Sequence, residues 1–152
     1  MSLAIALHLL ASTIWVGGMF FAYMALRPVA AGLLEPPSRL TLWARVFEHF
    51  FPWVWASVIV LLGSGLWMTF AVFGGMASVG LHVHLMMTLG VVMMLIFLHL
   101  YFAPYRKLIR AVEREDWPSG GEQLGRIRRL VGINLILGLL VVIIASGGRY
   151  LF

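Results

Sequence analysis

Leu81-His82-Val83-His84 opens an apolar run that continues through Leu85 to Ala103, with His99 near its far end. About 20 apolar residues, rising 1.5 Å each, cross a hydrocarbon core about 30 Å thick, so this run reads as a membrane-spanning helix. Three other stretches have the same length and character: about Ser2–Leu26, Pro52–Phe73 and Leu130–Tyr150. Their non-apolar members are mainly His, Ser, Thr, Gly and Asn, which pack acceptably between helices in a bilayer. The expected fold is all-α. It is an integral membrane antiparallel four-helix bundle, forming a single transmembrane domain over residues 1–152.

Composition supports that reading. The chain is 62% hydrophobic and only 11% charged, with a mean hydropathy of +0.98. A soluble domain carries about a quarter charged residues, too many for this chain to match. With no cysteine, disulfides, thiolate metal sites and iron–sulfur clusters are excluded as internal chemistry. The first stretch lacks a basic leader and is too long for a signal peptide's apolar core, so it is expected to be a retained span.

The basic residues give a direction. Arg27, Arg39 and Arg45 lie between spans one and two; Arg106, Lys107, Arg110, Arg114, Arg126, Arg128 and Arg129 lie between spans three and four. With four spans these two loops share a side, and the positive-inside rule makes that side cytoplasmic. Both termini then face outward. The basic excess is a topology signal, with anionic lipid as its partner rather than nucleic acid.

In span one, His8, Ser12, Trp15, Met19 and Tyr23 fall on one stripe of a helix, and Gly17-Gly18 permits close approach of a neighbour. The first loop carries Leu40, Trp43, Val46, Phe47 and Phe50 at helical spacing, which predicts an interfacial amphipathic helix lying on the inner membrane surface and ending at His49. Pro52 suits the first turn of span two. Ala56, Val60, Gly63 and Trp67 form a stripe there, expected to pack or to wall a pocket. The second cytoplasmic loop should break at Trp117-Pro118-Ser119-Gly120-Gly121, with Ser119 and Glu122 as a capping box. Span four aligns Asn134, Gly138 and Ala145.

Apart from Arg149 near the far end of span four, the imidazoles are the only side chains in these spans that charge near neutral pH. Such groups are costly in a bilayer and usually face the bundle interior. His8, His82 and His84 belong to the outer leaflet, His99 and His49 to the inner. Fifteen residues at about 100° each leave His84 and His99 about 60° apart around the helix, with Thr88 and Phe102 on the same face. His82 points about 160° away from His84.

Two ligand chemistries compete with a plain structural or accessory role. In one, His8 and a span-three imidazole, His84 first and His82 as substitute, are axial ligands of a b-type haem, with Trp15 lining it and Arg149 meeting its propionates. A second haem at His99, with His49, is a further expectation. That reading makes the chain a cytochrome b-like electron-transfer protein. In the other, His82, His84 and His8, with Met76, Met86 or Met1, bind copper from the outer face. Carboxylate acid–base chemistry is disfavoured, because all six acids lie in the cytoplasmic loops, and the phosphate-binding glycine motifs are absent.

Leu7-His8 followed by Trp15-Val16-Gly17-Gly18-Met19-Phe20 resembles the first-span signature of the copper-resistance D (CopD) domain superfamily, and the remaining chain fits the same four-span plan. The start and the His82-x-His84 opening of span three also resemble the four-helix bacterial protoporphyrinogen oxidases. That likeness implies b-type haem on His8. His84 stands where that branch has a functionally important lysine, which argues against protoporphyrinogen oxidation here and favours a second imidazole ligand. The resemblance implies a multi-pass protein of the bacterial inner membrane with both termini periplasmic. It leaves the redox partner open and allows a homo-oligomer.

Overall fold

The computed structural model describes residues 1–151; Phe152, the last residue of the expected domain, lies outside them. Four long helices follow one another: α1 Ser2–Leu33, α2 Pro36–Val72, α3 Leu81–Glu113 and α4 Trp117–Tyr150. At 32 to 37 residues, each is about 50 Å long by its rise per residue, well beyond a hydrocarbon core of about 30 Å. Each apolar span is therefore one end of a longer helix, and all four helices extend beyond their spans on the side that carries the basic residues. The outer surface is rich in exposed side chains such as Leu3, Ile59, Phe70 and Ile143, which suits contact with lipid.

The longer helices correct the expected interfacial helix. Residues 36–51 do not lie flat on the membrane but continue straight into span two, with Pro52 inside α2. Their apolar face packs on protein: Leu40, Trp43, Phe47 and Phe51 are all buried. Phe47 stacks on Phe51, centroids 4.9 Å apart and planes 7° from parallel. Tyr105 of α3 meets Phe51 edge-on at 4.8 Å. An amphipathic pattern shows which face is apolar, not what covers it.

The break before α4 also differs. Glu115 takes a left-handed conformation, φ 54°, and Asp116 Oδ1 accepts from the Ser119 backbone N–H at 3.3 Å. Asp116 is the N-cap, so Trp117 to Gly121 lie inside the helix. The expected partner of Ser119, Glu122, pairs instead with Arg126.

Three helices widen locally into π turns, at Ala22–Leu26, Met68–Val72 and Tyr101–Tyr105. Pro104 sits within the last of these and Pro28 just past the first. Proline lacks an N–H and its ring crowds the carbonyl four residues back, which a wider turn relieves.

Helices α1 and α2 form one close pair and α3 and α4 the other. Glycines set the approach. A Cβ at Gly18 would collide with the Phe50 ring, and one at Gly138 would stand 2.9 Å from Val16 Cγ2. Between the pairs, Trp15 of α1 and Trp55 of α2 stand edge-on to Phe97 of α3 at 6.2 and 5.2 Å. Asn134 of α4 donates from Nδ2 to the Met93 carbonyl of α3 at 3.1 Å.

Candidate functional site

The stripe on α1 faces the bundle interior as its periodicity requires. Trp15 and Met19 are buried, and His8, Ser12 and Tyr23 are half-buried. At the inner end, the Arg27 guanidinium lies over the Tyr23 ring, 4.3 Å from its centre. The stripe thus runs from an imidazole at the outer end to a cation at the other.

His8 turns toward α2, not α3. Its Nδ1 lies 2.8 Å from Ser64 Oγ, and Ser64 Oγ donates to the Val60 carbonyl at 2.6 Å. A serine hydroxyl has one hydrogen. Once that hydrogen goes to Val60, Oγ must accept from His8, so Nδ1 carries the proton. Nε2 is then left with its lone pair, the form in which a neutral imidazole ligates a metal. Gly65 makes room, since a Cβ there would lie 3.4 Å from the imidazole Cε1. Ser64 was legible in the sequence only as one polar residue in an apolar span; its role depends on how the two helices meet.

The other histidines fall in different places. His82 packs on α4, where a Cβ at Gly148 would stand 2.7 Å from the His82 Cβ, one residue from Arg149. Both Arg149 and the neighbouring Tyr150 are exposed. His84 is half-buried, and its carbonyl accepts from Thr88 Oγ1 at 2.9 Å. The face it was expected to share with His99 turns outward: Thr88, His99 and Phe102 are all exposed. His49 is exposed as well and donates from Nδ1 to the Arg45 carbonyl at 2.9 Å. Among the described residues, no three His, Asp or Glu side chains gather to hold a metal ion.

Two further stripes are corrected. Ala56, Gly63 and Trp67 lie on the exterior rather than walling a pocket, and Ala145 is exposed while Asn134, Gly138 and Gly148 point inward.

The interior tests the haem. Where Trp15 of α1 and Phe97 of α3 line the core, the enclosed space is about 20 Å³, whereas ligand pockets run to about 300–1,000 Å³. Aromatic rings fill that level of the core, so a haem does not fit beside Trp15 and Phe97; His8 and His84 lie further along the spans, away from these rings.

Taken together, the fold and the His8 geometry define a four-span membrane bundle with one half-buried imidazole, bonded to Ser64, near the end away from the basic residues. The family profile of copper resistance protein D, CopD, matches residues 44–147, and the chain belongs to that family. The match runs from Ala44 within α2 to Gly147 within α4, while the α1 stripe precedes it. Neither a curated protein nor a solved structure matches the chain. The chain is thus a copper-resistance-related membrane protein spanning the bilayer several times.

Proposed function

We propose that the protein binds copper at the outer end of the bundle and passes it inward, with His8 as the first ligand. The observation that carries this reading is the hydrogen-bond chain from His8 Nδ1 through Ser64 Oγ to the Val60 carbonyl, which leaves the Nε2 lone pair available to a metal. Imidazole and thioether suit copper, and the spans supply methionines beside the imidazoles. His82 and His84, at the start of α3, are the candidates for a second nitrogen, with Met76, Met86 or Met1 as sulfur donors. The ten cations between spans one and two and between spans three and four support, by the positive-inside rule, a cytoplasmic position for those segments and a periplasmic one for His8.

The test is copper binding by the purified protein, titrated as copper(I) without oxygen against a competing chelator. Wild-type protein is expected to bind, and His8→Ala to lose at least about tenfold in affinity, as removal of a metal ligand or its support commonly does. No binding by the wild type, or unchanged binding in His8→Ala, overturns the reading.

A second reading, a b-type haem and electron transfer, draws on the same free Nε2. It would require α1 and α3 to part around the macrocycle, with His84 or His82 as the second ligand, Arg149 near the propionates, and His99 and His49 for any second haem. A reduced-minus-oxidised visible spectrum separates the two readings. A b-type band that disappears in His8→Ala selects haem.

A further inference from the structure

One side of α3 faces away from the bundle. Thr88, Val92, Leu95, His99, Phe102 and Arg106 are all exposed, and they recur in steps of four, three, four, three and four residues. That alternation is the 3.5-residue repeat of a seam between two supercoiled helices. The buried Met93, Phe97 and Leu100 of the same helix lie about 150° away around its axis. The helix thus carries two seams, one spent on the core and one turned outward.

His99 decides what covers the outward seam. It lies within the apolar span, four residues from Ala103, or about 6 Å along the axis. Helical side chains lean toward their own N-terminus. For His99 that is toward the middle of the span, so its short ring cannot reach the interface as a long lysine does. A neutral imidazole has one donor and one acceptor nitrogen. Among the described residues the imidazole hydrogen bonds are those of His8 and His49, and His99 makes none. Lipid tails satisfy neither nitrogen, and an ionisable group within a span almost always meets protein or another such group.

We propose that a second copy of this chain packs on this face, α3 against α3, with the two His99 rings hydrogen-bonded to each other. The seam within the span carries no carboxylate, lysine or arginine, so its specifying polar group is a ring that both donates and accepts. The same ring complements it. Two copies inserted the same way are related by a two-fold axis along the membrane normal, so their α3 helices run parallel and each seam residue meets its own counterpart. One ring donates to the bare nitrogen of the other, and the second N–H turns to the Leu95 carbonyl four residues back, as His49 does to Arg45. Thr88 is already spent on the His84 carbonyl. Arg106, held over the Phe102 ring, lies past the span, where water and headgroups screen the two cations from each other. The pairing needs no copper and stands or falls apart from His8.

The chain has no cysteine, so a single introduced thiol reports on one position. Leu95→Cys on the seam is compared with Ile59→Cys and Ile143→Cys, at exposed positions of α2 and α4, in the full chain in proteoliposomes oxidised with iodine. Leu95→Cys is expected to form disulfide-linked dimers at least about tenfold faster than either control, because only the seam brings like positions within bonding distance. Energy transfer between labelled copies at graded protein-to-lipid ratios gives the dissociation constant. His99→Leu is expected to raise it about three- to tenfold, the worth of one interhelical hydrogen bond. His99→Asn, whose amide also donates and accepts, should hold it within about twofold of wild type, which a misfolded variant would not do. Wild-type chain that stays monomeric, Leu95→Cys coupling no faster than the controls, or His99→Leu associating as tightly as wild type each overturns the pairing. So does His99→Asn associating as weakly as His99→Leu.

Discussion

The two halves of the bundle are built differently. Among the described residues every buried apolar side chain lies between Ala11 and Val58 or between Met93 and Leu135, and all but Ala11 lie toward the end that carries the basic residues, the inner half by the positive-inside expectation. There, stacked and edge-on rings from α2 and α3 fill the space around Phe51 and Phe97. In the outer half, burial is confined to Thr69 and Gly148, with Gly138 at the boundary against Val16 and Met93, and the helices expose leucine and isoleucine to lipid. That half holds His8, His82 and His84. Since lipid is as apolar as leucine, burying side chains between helices gains little in a bilayer, and association relies on close packing and hydrogen bonds. The inner half has both. The outer half has glycine contacts and the His8–Ser64 bond, which suits a site that must admit and release a guest.

The sharpest way to break this comparison is to truncate one residue in each half. Phe51→Ala should cost about 3–5 kcal/mol of unfolding free energy in mixed micelles, whereas Leu139→Ala, on the lipid-facing outer half, should cost less than about 0.5 kcal/mol. Equal losses would erase the distinction. Gly138→Val forces a branched side chain against Val16 and Met93 and should cost about 1–3 kcal/mol. Gly148→Val, against His82 in the looser half, should cost less and shift the His82 resonances instead.

Ser64→Ala removes the acceptor that fixes the His8 tautomer but leaves the imidazole in place. Copper affinity should fall about tenfold, less than in His8→Ala, with unfolding changed by no more than about 1 kcal/mol. An unchanged affinity would separate the Ser64 bond from function. The smallest effect is at the turn between α3 and α4. Glu115→Gly relieves a left-handed backbone and should stabilise the fold by up to about 1 kcal/mol, without altering copper binding.

Much of the fold was legible in the chain because a bilayer imposes simple rules. Four apolar runs of sufficient length, separated by basic loops, lead directly to four spans. The α1 stripe was legible too, since helical periodicity alone aligns His8, Ser12, Trp15, Met19 and Tyr23. What failed were inferences about partners. The amphipathic pattern at Leu40 to Phe50 is the same whether it meets lipid or protein, and the structure seats it on Tyr105 and its neighbours. His84 was favoured for sharing a face with His99; Thr88, His99 and Phe102 of that face are exposed, while His84 and His82 are both half-buried, His82 against Gly148 of α4.

The sequence by itself determined the number of spans, their apolar character, the single charged side and the supply of imidazoles, because each depends on local composition or helical repeat. Only the tertiary structure decided that His8 meets Ser64, that the core beside Trp15 and Phe97 is filled by aromatic rings, and that Asn134 Oδ1 is left without a hydrogen-bond partner. Those outcomes depend on how helices are rotated about their axes and paired. No span encodes that alone, because each helix's rotation is settled by the small residues and hydrogen-bonding groups of the others.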